Sequence, residues 1–209
     1  MSNEALDPRY LYAAVPAEDA KFARAAGRGL TVVVAGATAA VTGKRPPGSA
    51  DTLALAMAHD RVMQRLMARC SSVLPFRLGV AAPAADELRR IFHGNSIALV
   101  RQLARFHDRV EMGLKIKAKE SGTTFDLGPV HTVVSDREDR LERVAEQRGA
   151  AVFEGVYLVK RASIEDFWAA VERIRDASPE LPILGVGPFA PYSFCDIRID
   201  ASGMSQEID

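Results

Sequence analysis

Residues 110–117 read Val-Glu-Met-Gly-Leu-Lys-Ile-Lys, so apolar Val110, Met112, Leu114 and Ile116 alternate with Glu111, Gly113, Lys115 and Lys117. A period of two sends alternate side chains to opposite sides of an extended backbone, which predicts a strand with one buried face. A strand cannot satisfy its own backbone groups, so the chain must supply neighbours for it. The apolar runs 151–159 and 181–186 read as such strands, and 130–134 as another. Between them, 163–179 is the clearest helix. Ser163 stands at the cap, Asp166 follows three residues on, and Ile164, Phe167, Trp168, Val171 and Ile174 share one face. The mixed-charge run 135–149, SDREDRLERVAEQRG, also reads as a helix, with Ser135 or Asp136 as cap, Gly149 as stop and intrahelical ion pairs on a solvated face.

The first half repeats the alternation. Residues 10–15 form a β-type run closed by Pro16, and an Ala-rich helix over 17–26 ends at Gly27. Strand 30–34 breaks at Gly36, with 38–42 as its hairpin partner, and KRPPGS (44–49) is a loop. Asp51 or Thr52 caps a helix whose stripe is Leu55, Val62, Met63, Leu66 and Met67. A strand over 72–80 follows, then a helical pattern over 84–106 interrupted at Gly94 and Asn95. Hairpins mixed with helices predict an α+β chain of two domains, 1–107 and 108–200, with a frayed polar end over 201–209.

Lys plus Arg and Asp plus Glu both number 27, so no basic excess points to nucleic acid. The N-terminal stretch lacks the basic flank and apolar core of a signal peptide, and no apolar run nears the roughly 20 residues of a membrane span. With only Cys70 and Cys195, far apart, the expectation is a reduced cytoplasmic protein. His59, His93, His107 and His131 show no zinc-site spacing, and neither cysteine has a C-x-x-C partner. No phosphate loop or nucleophile elbow occurs, so the expectation is no metal, no cofactor and no catalytic residue. His59, on the Met-rich helix, reads as a helix-surface or hydrogen-bonded histidine.

Two segments resist a plain packing account. In VLPFRLG (73–79), Pro75 inside a β-type run demands an edge or a bulge. In GPFAPYSF (187–194), prolines and aromatics preclude regular structure yet are too apolar to stay in water, so the segment must pack extended against something. VLPFRLG resembles the Leu-Pro-Phe-Arg-x-Gly element of the gas vesicle F/L family, and His59 matches a histidine usual on the preceding helix. GPFAPYSF is similar to that family's terminal Gly-Pro-Trp-Pro-Pro-Tyr-Ser-Phe signature, departing at Phe189 and Ala190. YLYAAV (10–15) and VEMGLKIKA (110–118) match in position, so the resemblance runs from Tyr10 to Phe194.

The resemblance implies a second domain of ferredoxin-like fold, with the extended tail as its edge strand. It also implies a non-enzymatic accessory or minor structural protein of gas vesicle formation, located with the vesicles. Its implied partners are the main gas vesicle shell protein and other gas vesicle accessory proteins. The matched positions Pro75, Phe76, Arg77, Gly79, Gly187, Pro188, Pro191, Tyr192, Ser193 and Phe194 are the candidates for partner contact or motif packing. Among them Arg77 is the candidate polar anchor, and Tyr192 and Phe194 the packing anchors. The alternatives are a small-molecule-binding regulatory module on the ferredoxin-like domain and, more remotely, an enzyme using His59.

Overall fold

The computed structural model describes residues 9–44, 52–120, 122–147, 149–199 and 205–207; of the loop expected over 44–49, Lys44 ends a strand and the rest lies outside the described residues, as does a cap at Asp51. The chain divides into two compact units, one of residues 1–107 with 190–209 and one of Asp108–Phe189. The tail from Ala190 on, expected with the second domain, groups with the first unit.

The first unit is built on an antiparallel sheet. Its strands are β1 (Arg9–Pro16), β2 (Thr31–Ala35), β3 (Thr38–Lys44) and β4 (Leu74–Pro75), in the order β2-β3-β1-β4. Around it lie α1 (Ala20–Ala25), α2 (Thr52–Met67), α3 (Ala85–Gly94) and α4 (Ser96–Arg105). Nearly every position of β1 and β3 is buried, so both faces of the sheet centre are covered. The sequence allows this because Ala13, Ala14, Ala39 and Ala40 carry too little side chain to hold helices away. Met63 and Leu66 of α2, Leu99 of α4 and Phe106 fill the remaining space, each contributing about 1.5–3 kcal/mol of burial. The expected break between α3 and α4 falls at Asn95, whose side-chain amide donates to the Ile91 carbonyl at 2.8 Å.

The expected strand over 72–80 is shorter than its pattern suggests. Leu74–Pro75 alone forms a ladder, on the sheet edge, where a proline's missing N–H costs no pairing. The chain then turns at Leu78–Gly79 and rejoins β1 through a Tyr10–Ala81 bridge.

The second unit runs β5 (Arg109–Lys117), α5 (Gly128–Val133), β6 (Arg140–Gln147), β7 (Ala150–Lys160), α6 (Ile164–Ala177) and β8 (Ile183–Phe189). Its sheet order is β6-β7-β5-β8, every neighbour antiparallel. The alternation in 110–117 is realised directly, with Val110, Met112, Leu114 and Ile116 all buried. They share a face with Phe153 and Tyr157 of β7, and Phe167, Val171 and Ile174 of α6 are buried as well. Two expectations fail here. Residues 128–133 are helical where a strand over 130–134 was expected, because Pro129 suits a helix's first turn and the four-residue spacing of Val130 and Val134 buries both.

The helix expected over 135–149 is instead a 3-10 turn, Arg137–Asp139, leading into β6. Asp136 does cap that turn, accepting from the Glu138 N–H at 3.0 Å. The charges expected to pair along a helix pair across the sheet, Arg143 with Glu154 at 2.9 Å and Arg109 with Asp139. Gly149 stands in the β6–β7 hairpin rather than at a helix end. Hairpin closure onto the long strand β7 outweighs the weak pairwise gain of a charged helix face. At the other edge, β8 extends beyond 186 through Gly187–Phe189, but Tyr192–Phe194 is a 3-10 turn, so only the start of GPFAPYSF is extended. Within the stretch expected to fray, Ser205–Glu207 pairs with Ile197–Ile199, forming β10 and β9.

Candidate functional site

His59 lies on the buried stripe of α2, 4% exposed, which excludes a surface position. Its Nε2 is 2.6 Å from the Tyr192 hydroxyl, bringing the tail motif onto the first unit's helix. The imidazole stacks on Tyr12 at 5.4 Å and meets Tyr10 edge-on at 5.5 Å. Burial lowers the His59 pKa below its ordinary value, with neighbouring Asp60 opposing. Burial likewise raises the Tyr12 phenol, helped by Tyr10 and opposed by Arg65. Nδ1 of His59 is buried without a hydrogen-bond partner among the described residues. A neutral ring among phenols is suited to holding segments together.

The two motif segments meet around this cluster. Pro75 pairs with Ala13 of β1, and the Phe76 N–H donates to the Tyr12 carbonyl at 2.9 Å. The Gly79 N–H donates to the Tyr10 hydroxyl at 2.7 Å. Gly79 has φ +94° with open space where a Cβ would stand, so the turn's backbone conformation, rather than crowding, asks for glycine. In the tail, Ala190 and Pro191 are buried and Phe194 is packed, with the Arg105 guanidinium 5.6 Å from its ring centre. The same arginine pairs with Asp196 at 3.5 Å, and the Cys195 thiol donates to the Pro191 carbonyl at 3.2 Å.

Of the motif residues, Pro75, Phe76, Gly79, Pro191, Tyr192 and Phe194 thus belong to one packed assembly in the first unit. Gly187 and Pro188 belong to the second unit, on β8. A Cβ at Gly187 would stand 2.9 Å from both the Glu111 carbonyl and the Met112 sulfur, so only glycine fits. Ser193 and Arg77 are exposed. The Arg77 guanidinium makes no hydrogen bond or ion pair with another described residue. Sequence reasoning missed Tyr10 and Tyr12 as site residues. The available signal was the Tyr-Leu-Tyr spacing, which sets two phenols on the same side of a strand.

A second polar cluster stands in the second unit. Glu142 of β6 accepts from the Tyr157 hydroxyl at 2.7 Å and lies 2.7 Å from Nε2 of His131. Burial, with that carboxylate beside it, pushes the Tyr157 phenol far upward. Among the described residues no group of three His, Cys, Asp or Glu side chains is placed to hold a metal ion, and no helix is long and apolar enough to cross a membrane.

Residues 8–155 and 130–196 match the family model described as gas vesicle synthesis protein GvpL/GvpF. The chain is 30% identical over 156 residues to gas vesicle protein F2 of Halobacterium salinarum, covering 71% of each. It is 30% identical over 154 residues to gas vesicle protein F of Haloferax mediterranei, covering 68% of this chain and 70% of that one. The crystal structure of the gas vesicle protein GvpF from Anabaena sp. PCC7120 superposes with a TM-score of 0.72 at 13% identity, over 90% of this chain and 95% of that chain. That likeness establishes a shared fold.

Proposed function

The chain belongs to the gas vesicle synthesis protein GvpL/GvpF family, and from that premise we propose that it binds the main gas vesicle shell protein and keeps it competent for assembly. Family membership gives it a role in gas vesicle formation, in a family of structural and assembly proteins. On this reading it is a non-enzymatic, cytoplasmic accessory protein associated with the vesicles. A subunit of a hydrophobic shell exposes apolar surface and strand edges before it is incorporated, and a partner that masks them suppresses aggregation.

The observation that carries the reading is the exposed turn at Arg77. It is the one arginine in the two motifs, it stands clear of the packed assembly, and its charge is uncommitted among the described residues. Leu78 beside it is 38% exposed, so the turn offers an apolar contact next to a donor fork. The other accessory proteins of the vesicle are further partners on the same reading. The second unit's β-α-β-β-α-β order supports a ferredoxin-like domain.

Co-expression tests this. The shell protein is expected to stay soluble in larger amount and to co-purify with this chain. The complex is expected to persist at raised salt, because a chain with equal numbers of positive and negative residues relies mainly on apolar burial. A folded chain that retains no shell protein at low or high salt would overturn the reading.

A further inference from the structure

The helices do not all handle their arginines in the same way. On α3 Arg89 pairs with Asp86, and on α6 Arg175 pairs with Glu172, each acid three residues earlier on the same helix. On α2, Arg61 and Arg65 stand four residues apart, and Arg69 follows four later in the turn that ends the helix. That turn stays on the helical track, since the Ala68 and Cys70 N–H groups donate to the Gln64 and Leu66 carbonyls at 3.0 and 2.8 Å. All three arginines are exposed, and none forms an ion pair among the described residues. Four-residue spacing stacks them on one face, so like charges repel where α3 and α6 set an acid against a base. The negative end of the helix dipole favours Arg65 and Arg69, but Arg61 lies a turn too early to share in it.

α1 lies beside this face. Asp19 accepts from the Ser71 N–H and hydroxyl, both at 2.7 Å, which ties the start of α1 to the end of α2. Beyond the other end of α1, Nη2 of Arg65 lies 3.4 Å from where a Cβ on Gly27 would stand. Arg28 follows Gly27, exposed and again without an ion pair among the described residues. Neighbouring carboxylates leave this charge standing. Asp19 is buried, and Asp60 stands about 100° or more round α2 from each of the three arginines. Glu18, beside Asp19, is exposed at the Arg69 end.

We infer that Arg28, Arg61, Arg65 and Arg69 form a ridge that docks a short acidic segment of a partner protein, extended, with carboxylates at alternate positions. Four helix residues rise about 6 Å, close to the roughly 6.6 Å between alternate residues of an extended chain. Successive carboxylates then meet successive guanidinium forks, whose paired donors match two carboxylate oxygens. A long polyanion fits less well. The chain has 27 basic and 27 acidic residues, so outside these four arginines 23 stand against 27, a net charge of −4. A nucleic acid running past a ridge about 12 Å long meets that acidic remainder, and a short segment does not. The inference is independent of the assembly reading, which rests on the turn at Arg77 and on binding that outlasts salt.

The test uses the full chain and a rhodamine-labelled peptide, Thr-Glu-Thr-Glu-Thr-Glu-Thr with blocked ends, followed by anisotropy at low salt. Saturable binding is expected, weakened about five-fold or more by Arg65→Glu and by Arg61→Glu, and lost at about 0.5 M salt. Arg173→Glu makes the same change of net charge at an exposed position on α6, and is expected to shift affinity by less than about two-fold. The peptide with glutamine for glutamate is expected not to bind. Circular dichroism and melting establish that each variant is folded, and Arg61→Glu decides if Arg65→Glu is not. Absent binding, or equal weakening by the ridge variants and Arg173→Glu, overturns the inference. So does a seven-nucleotide oligothymidylate that binds more tightly than the peptide and is weakened by the same ridge variants, or a dimer seen by light scattering that Arg65→Glu dissolves. Retention of the shell protein by the parent chain is scored separately, and its absence sinks the assembly reading without touching the peptide result.

Discussion

The first unit packs away most of the residues that make the sequence recognisable, and the second leaves a strand without such residues exposed. Around β1, the residues that make the sequence recognisable are consumed by packing: Pro75 in the ladder, Tyr192 on His59, Phe194 under Arg105. Around β6, a strand with none of the motif residues in it leaves Val144 and Leu141 exposed and, among the described residues, pairs on one side only. Recognisability and availability for contact are therefore different properties. A motif can persist because a fold needs it, while a binding surface asks only for exposed edges and a tolerant pattern of charge. Arg77, like Ser193, is an exception, a motif residue that is exposed.

The contrast breaks most visibly if the tail is removed. A chain ending at Val186 loses buried Ala190, Pro191 and Phe194 together, and is expected to aggregate on expression. A soluble monomer melting like the full chain would show that the tail is not part of the first unit's core. Phe194→Ala alone is expected to cost about 3 kcal/mol or more, a melting temperature lower by roughly 6–12 °C, read by calorimetry. Tyr192→Phe keeps the ring and deletes the hydroxyl. Stranding a buried imidazole is expected to cost about 1–2 kcal/mol, roughly 2–8 °C, and an unchanged melt would mean that the hydrogen bond to His59 is dispensable.

Acidification gives a smaller effect with a definite sign. The folded state holds His59 below its ordinary pKa, so between that lowered value and about 6.5 the unfolded chain binds more protons. Stability therefore declines as pH falls through about 6.5 and the decline from this residue ends once pH passes the folded value. Melting curves from pH 7.5 to 5 are expected to show that slope, and His59→Gln to flatten it. An equal slope in both chains would remove His59 from the account.

Much of the fold was legible because strong periodicity dominates where it occurs. The alternation of Val110 to Ile116 and the α6 stripe of Phe167, Val171 and Ile174 each admit one reading. The failures fall where two periods compete. In 140–147, Leu141, Val144 and Ala145 suit a helix face, while alternation of Leu141, Arg143 and Ala145 suits a strand, and the hairpin to β7 decides between them. In 130–134, β-branched residues suggest a strand, but the spacing of Val130 and Val134 serves helix packing instead. The candidate site was legible as two segments. Their meeting was hidden, since nothing local tells Tyr192 that His59, 133 residues earlier in the chain, is its partner.

Arg77→Ala tests the division between packed motif and outward-facing turn most directly. The variant's melting temperature and its retention of co-expressed shell protein are measured side by side. The expected result is a melting temperature within about 1 °C of the parent, as for an exposed side chain, together with a clear loss of retained shell protein. A variant that keeps all of its shell protein, or that loses it only because it unfolds, would contradict the assignment of Arg77 as the motif's contact residue.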